Sequence, residues 1–125
     1  MRRARNAFQQ SGYLDKALWL HGEIMKKFPE HRGGDLHLLA TLEKRMKKYD
    51  EAMQHFNESV ELAKTDQDRM SRLLSRAELI HERDGDSAGL EAYREVERSA
   101  KAAGIETADE AGKRADSIEK RLANR

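Results

Sequence analysis

The stretch of residues 49–63, YDEAMQHFNESVELA, constrains the fold more than any other part of the chain. Its apolar and small residues recur at a spacing that fits one face of an α-helix and does not fit a strand. Bulky Phe56 stands one turn after small Ala52 and one turn before small Ser59. This order lets a second helix approach closely at two points and receive the ring between them. Because one helix cannot bury such a face alone, the sequence predicts stacked helices.

Two other stretches have a related order of side chains. Ala52 follows Ala17 by 35 residues, and Gly89 follows Ala52 by 37 residues. A period in this range is typical of a solenoid of helical hairpins. The related positions are Ala17, His21 and Ile24 in the first stretch and Gly89, Tyr93 and Val96 in the last.

Helix-breaking residues predict where the first helices begin and end. Gly12 separates a short helix of residues 2–10 from a second of about residues 14–28, which Pro29 stops. The pair Gly33-Gly34 is predicted to form a turn, after which Asp35 caps a third helix. The organising helix then covers about residues 50–64.

The second half of the chain has its own start and stop signals. The polar segment from Thr65 to Asp68 is rich in capping residues and precedes a helix of about residues 69–82. The next helix, about residues 87–103, ends at Gly104, which suits a left-handed stop. Thr107 and Glu110 form a capping-box pattern for a last helix of about residues 107–123.

The last helix carries an apolar stripe at helical spacing. We expect this stripe to cover the end of the third hairpin, because terminal repeats need a polar outer face. The alternative is the seam of a coiled-coil dimer. The stripe consists of Ala108, Ala111, Ala115, Ile118 and Leu122.

With these positions in place, the chain resembles the tetratricopeptide repeat family, whose repeat is a helix–turn–helix of about 34 residues. The resemblance is strongest at Ala52, Phe56 and Ser59, and it covers about residues 1–103. It implies an all-α, right-handed superhelix of antiparallel helix hairpins in a single domain of residues 1–125. HEAT-like or other helical-hairpin arrays remain alternatives. The implied units are residues 1–31, 33–66 and 69–103 and a capping helix of residues 107–123.

The composition narrows the functional classes. Of the 125 residues, 38% are charged and none is cysteine, which excludes disulfides, thiol catalysis and thiolate metal sites. No apolar run approaches the ~18 residues that span a bilayer, and the basic N-terminus lacks the apolar core of a secretory signal. We therefore expect no membrane segment, and a cytoplasmic location is compatible with the lack of cysteine.

The charges are distributed unevenly along the chain. The net charge is only +1, but residues 1–48 carry +6 and residues 49–125 carry −5. The basic half favours an acidic partner, and an ordinary solvated helix surface is the alternative. The basic cluster of residues 44–48 and the arginines near the N-terminus have few aromatics among them, so nucleic-acid binding is not favoured.

No catalytic or cofactor-binding pattern occurs in the sequence. The five histidines lack the spacing of a metal site, and Gly33-Gly34 lacks the context of a phosphate loop. His21 is predicted to be a satisfied imidazole of the core or its boundary. We therefore expect a non-enzymatic protein that needs no metal or other cofactor.

The resemblance also implies a functional surface, since the first helix of each hairpin lines a concave groove in this family. That groove would bind a peptide or protein segment. The alternative is a regulatory or structural part of a larger enzyme or nucleic-acid-associated protein. Self-association through the face of Trp19 or through the last helix is a further expectation. The alternatives for Trp19 are packing against a repeat upstream of this sequence and cover by lysine and arginine stems. The implied groove residues are Arg2, Asn6, His37, Leu38, Thr41, Lys44, Arg45, Leu74, Ser75, Glu78 and His81.

Overall fold

The chain is described by a computed structural model that covers the backbone of residues 2–27 and 29–124 and the side chains of residues 13–27 and 30–124. In these ranges the protein is all-helical, without strands, as the sequence predicts. A short 3-10 helix at Pro29–His31 follows the first α-helix. The α-helices are α1 (Arg2–Lys27), α2 (Arg32–Arg45), α3 (Tyr49–Glu61), α4 (Asp66–Asp84), α5 (Asp86–Ala103) and α6 (Thr107–Ala123).

The predicted break at Gly12 is wrong, because α1 continues through this position as a single helix. A glycine inside a helix costs only about 1 kcal/mol relative to alanine, and the good helix formers around Gly12 outweigh that cost. The first unit therefore consists of one long helix instead of the predicted pair. The complete hairpins are α2–α3 and α4–α5.

The predicted turn at Gly33-Gly34 is also wrong, since both glycines lie in the first turn of α2 and the chain turns before them. Asp35 accordingly lies inside the helix and does not cap it. A Cβ atom added at Gly33 would lie 3.1 Å from Cβ of Leu62 and 2.8 Å from Nη1 of Arg72. The glycine therefore serves a close helix approach and not a bend.

Of the three helix start and stop signals predicted in the second half of the chain, two are confirmed. The hydroxyl of Thr65 accepts a hydrogen bond of 3.1 Å from the backbone N–H of Asp68, capping α4. Gly104 has the left-handed φ of 70° that ends α5. The capping box of Thr107 and Glu110 is wrong, because α6 already includes Thr107 and no side chain caps its first turn.

The core of the first complete hairpin is built around Phe56, as the sequence predicts. Its ring is fully buried among Ala40 of α2, Ala52 of α3 and Leu79 of α4. Ser59 is also buried, and its hydroxyl donates a hydrogen bond of 2.8 Å to the carbonyl of Phe56. Ala52, one turn before the ring, and Ser59, one turn after it, are small enough for two neighbouring helices to reach the ring.

The second core joins α4, α5 and α6. Tyr93 and Val96 of α5 pack with Ala77 of α4 and with the stripe of α6. Four of the five stripe residues are buried within the chain, so the stripe covers the hairpin α4–α5 and is not exposed as the seam of a coiled-coil dimer. The stripe residues in this core are Ala111, Ala115, Ile118 and, partly buried, Leu122, while Ala108 lies in an adjacent cluster with Met70 and Ala100.

The helices of the stack do not touch one another equally. In the described part of the chain, the two hairpins pack together mainly between α3 and α4. The first helices also approach one another, α2 with α4 and α4 with α6, whereas the backbones of α3 and α5 do not. We call the surface formed by α2, α4 and α6 the inner face.

Replacing Phe56 by alanine should lower the free energy of unfolding by about 3–5 kcal/mol, because a fully buried ring is lost and a cavity remains. Urea denaturation followed by circular dichroism measures the change. A loss below about 1 kcal/mol would contradict the central position of this ring.

Gly89→Ala should destabilise the fold although alanine is the better helix former. A Cβ atom there would lie 2.7 Å from Cβ of His81, so α4 and α5 would have to move apart. We expect a loss of about 1–3 kcal/mol in urea denaturation. Gly34→Ala is the matched control, because nothing lies within 4 Å of its Cβ position. Equal effects of the two substitutions would contradict the close contact at Gly89.

Candidate binding surface

The inner face brings two of the predicted groove residues into direct contact. Nε2 of His37 on α2 lies 2.9 Å from the hydroxyl oxygen of Ser75 on α4, within hydrogen-bonding distance. The His37 ring also packs against Phe56, with 5.8 Å between the ring centroids. The two side chains thus tie adjacent first helices together directly above the core.

The protonation of His37 follows from this position. Burial lowers the pKa of the imidazole below its ordinary value, and the nearby positive charge of Arg72 lowers it further. At neutral pH the ring is therefore uncharged and able to share a hydrogen bond with Ser75.

A row of alternating charges continues along the inner face. Nζ of Lys44 lies 3.7 Å from Oε2 of Glu78, and Oε1 of Glu78 lies 3.5 Å from Nη1 of Arg114 on α6. Nη2 of Arg114 then donates a hydrogen bond of 3.0 Å to Glu110. We call these four residues the charge row. It connects all three inner helices, and its partly exposed pairs each contribute at most about 1 kcal/mol to stability.

The charge row determines the electrostatics of the groove. Lys44 belongs to the basic half of the sequence and Glu78 to the acidic half, but these two side chains neutralise each other. The side chain of Lys44 is only 15% exposed and leaves little positive charge for a ligand. Arg45 is exposed beside it, and among the groove residues with described side chains it is the arginine available to solvent.

Arg114 is held by a second set of contacts beneath the charge row. Its guanidinium lies 5.8 Å from the centre of the Tyr93 ring, and Nη1 is 3.4 Å from the phenol oxygen. Burial raises the pKa of Tyr93, so the phenol stays protonated. The hydrogen bond with Tyr93 raises the pKa of Arg114, which stays charged. The cation is therefore fixed in position before any ligand arrives.

His81 lies at the junction of α4, α5 and α6. Its ring lies over Gly89 and meets the edge of Tyr93 at 6.1 Å between centroids. Its Nε2 is 2.8 Å from Oδ1 of Asp86, which also accepts a hydrogen bond of 3.0 Å from Arg121. His81 therefore joins α4 to α5 and α6, and its role in the groove stays a prediction.

The two leucines expected to share the groove have different surroundings. Leu38 is 53% exposed, whereas Leu74 is half-buried against the core of α4–α6. The apolar neighbour of Leu38 is instead Leu62, which is 45% exposed at the end of α3. Both line an open depression of about 450 Å³, whose wall includes Arg72 and the backbone of Gly33. The apolar part of the surface therefore lies where α2 and α4 begin.

The remaining predicted groove residues contribute less. The hydroxyl of Thr41 donates a hydrogen bond of 2.9 Å to the carbonyl of His37 within α2. The side chains of Arg2 and Asn6 lie outside the described residues.

Sequence reasoning missed one buried polar pair. Glu43 of α2 is buried, and its Oε1 lies 2.5 Å from Nδ1 of His55 on α3. Glu43 and His55 lie at the boundary between the apolar and the polar face of their helices, and no sequence motif links the two positions. His21 lies at the boundary of the core, as expected, but its buried Nδ1 has no hydrogen-bond partner among the described residues.

The described side chains contain no cluster of three or more histidine, aspartate or glutamate residues that could hold a metal ion. None of the described helices is long and apolar enough to cross a membrane. No protein-family model matches this sequence, and no curated protein matches it significantly. The site is therefore interpreted from its own geometry.

Acidification should reveal the lowered pKa of His37. The unfolded chain takes up a proton near the ordinary histidine pKa of about 6.5, and the folded chain takes it up only at lower pH. The stability contributed by the neutral ring is thus complete above that value and is lost as the pH falls through the lowered pKa. Urea midpoints of the parent should decrease more between pH 7.5 and pH 5 than those of His37→Gln, since glutamine removes this titration.

The comparison with His37→Gln removes the effects common to both proteins, including those of the other histidines. Parallel pH profiles for parent and variant would contradict a lowered pKa at His37.

Proposed function

We propose that this chain is a non-enzymatic, tetratricopeptide-like binding module that holds a peptide or protein segment on its inner face. The observation that carries the proposal is the depression at one end of that face, which exposed Leu38 and Leu62 both line. These are its two large aliphatic side chains, and its charged lining residues are Glu30, Asp35, Lys64, Asp68 and Arg72. As part of the same proposal, the module acts in the cytoplasm as a scaffold.

The energetics favour an apolar anchor at this depression. Burying one leucine side chain is worth about 1.5–3 kcal/mol, so a partner covering Leu38 and Leu62 gains appreciable affinity from a small area. A side chain of leucine or phenylalanine size would fit a depression of about 450 Å³. The depression supports a segment that inserts one apolar residue and continues along the inner helices.

The charge row is suited to positioning the rest of that segment. Glu78 stands between Lys44 and Arg114, which both face it across helix boundaries. The exposed members of the row, Glu78, Arg114 and Glu110, offer a ligand acceptors and a donor instead of a single strong charge. Charged contacts of this kind set orientation and encounter rate more than affinity. The proposed ligand is therefore an apolar-anchored segment with mixed polar side chains, and a highly charged one is disfavoured.

Leu38→Asp should weaken ligand binding at least about tenfold, because it puts a charge into the depression and removes apolar area. Ligands are first selected from a displayed library of random peptides against the immobilised parent. The affinity of each enriched peptide is then measured by fluorescence anisotropy with both proteins. Binding should change only modestly between low and high salt, since screening does not affect the apolar contact.

Leu20→Asp is the matched control, because Leu20 on α1 is 52% exposed and thus nearly equal to Leu38 in exposure. It should leave peptide affinity unchanged, and circular dichroism should show equal helicity for both variants. Failure to enrich any peptide, or equal affinities for the parent and Leu38→Asp, would refute the proposed site.

A further inference from the structure

The exposed face of α1 differs from every other outer surface of the described chain. Tyr13, Trp19 and Leu20 are 70%, 68% and 52% exposed, and they are three of the five large hydrophobic side chains with high exposure. No described side chain of α1 is fully buried. The two ends of the stack are therefore unequal, because the outer face of α6 presents polar residues such as Asp116 and Lys120.

The exposed residues of α1 follow a symmetric order. At 3.6 residues per turn, Lys16 and Glu23 lie two turns apart on nearly the same line of the helix. Trp19 and Leu20 lie between them, one on each side of that line. The midpoint between Trp19 and Leu20 is equally far from Lys16 and from Glu23. An antiparallel copy of α1 placed about this midpoint would match the first.

We propose that α1 is an isologous interface through which two copies of this chain associate, with their α1 helices antiparallel about a two-fold axis between Trp19 and Leu20. Lys16 of each copy then faces Glu23 of the other, which gives two opposite-charge pairs. The Trp19 rings of the two copies meet above the plane of the two helices, and the Leu20 side chains meet below it. Two-fold symmetric dimers are the commonest form of self-association.

The charges exclude the other symmetric arrangement. In a parallel pair each residue faces the same residue of the second copy, so Lys16 would face Lys16 and Glu23 would face Glu23. Like charges placed directly opposite each other oppose association. In the antiparallel pair, Asp15 also lies close to Lys26 of the second copy. Both side chains are exposed, and Lys26 is otherwise paired only with Glu23 of its own helix at 3.5 Å.

The available area sets the strength of this association. Exposed aromatic rings of this size, together with Leu20, bury about 400 Å² per copy, or about 800 Å² in total. Flanking lysine and glutamate stems raise this value toward the area of about 1,000 Å² that a specific interface needs. The dimer is accordingly weak and depends on protein concentration.

Charge reversal tests the arrangement directly. Lys16→Glu puts glutamate opposite Glu23 twice, and Glu23→Lys puts lysine opposite Lys16 twice, so each variant alone should dimerise about tenfold more weakly or worse. An equimolar mixture of the two variants should dimerise again, because every pair in the mixed dimer has opposite charges. Lys120→Glu on α6 is the control with the same charge change and should dimerise like the parent.

Sedimentation equilibrium from micromolar to submillimolar concentration measures association. Trp19 is the single tryptophan of the chain, so a blue shift of its emission with concentration reports burial of this face. Trp19→Ser combined with Leu20→Ser should remain monomeric, whereas Leu38→Ser should dimerise normally. Circular dichroism confirms that each variant stays helical.

Three results would overturn the proposal. A parent that stays monomeric over the whole concentration range has no such interface. A mixture of the charge variants that stays monomeric does not pair its helices in antiparallel order. A blue shift of Trp19 that occurs only with anionic lipid vesicles would assign this face to a membrane surface. Failure of the dimer and failure of the peptide site can be told apart, because the peptide test changes Leu38 on α2 and the dimer test changes residues of α1.

Discussion

The structure depends on the burial of Phe56 between two hairpins. The ring belongs to α3, but it is enclosed by Ala40 of α2 and by Leu79 of α4. Leu79 is completely buried although it lies on the side of α4 that faces away from the larger core. Small residues on either side of the ring allow this enclosure, since a larger side chain at Ala52 would hold the helices apart. The positions of His37 and Ser75 on the inner face follow from the same contact.

Much of the fold could be predicted from sequence because the burial pattern is local and periodic. The helix containing Phe56, the stop at Gly104 and the stripe of α6 all depend on neighbours within a few residues. The predictions at Gly12 and Gly33 were wrong because glycine tolerates a helix, and tertiary packing decides whether it is used as a bend. The capping box at Thr107 was wrong for a similar reason, since the pattern permits a cap but does not require one.

The candidate site was predicted less well than the fold. Repeat positions correctly put His37 and Ser75, and also Lys44 and Glu78, on the same inner face. They could not show that the members of each pair contact each other, because contact depends on the distance between the helices. Leu62 escaped notice because it follows the end of α3, outside the repeat positions used. Repeat position also could not show that the ring of His81 packs over Gly89, because that contact depends on the space left by the glycine.

The contact between the two hairpins has a mechanical consequence. Neighbouring hairpins are joined mainly between α3 and α4, where Phe56 packs with Leu79 and Nη1 of Arg72 donates a hydrogen bond of 2.6 Å to the carbonyl of Ser59. Any change in the angle between the two hairpins would therefore have to repack Phe56. The charge row could follow such a change at little energetic cost, because its partly exposed ion pairs are weak. The curvature of the stack is thus set by the core between the hairpins and not by the charges on the inner face.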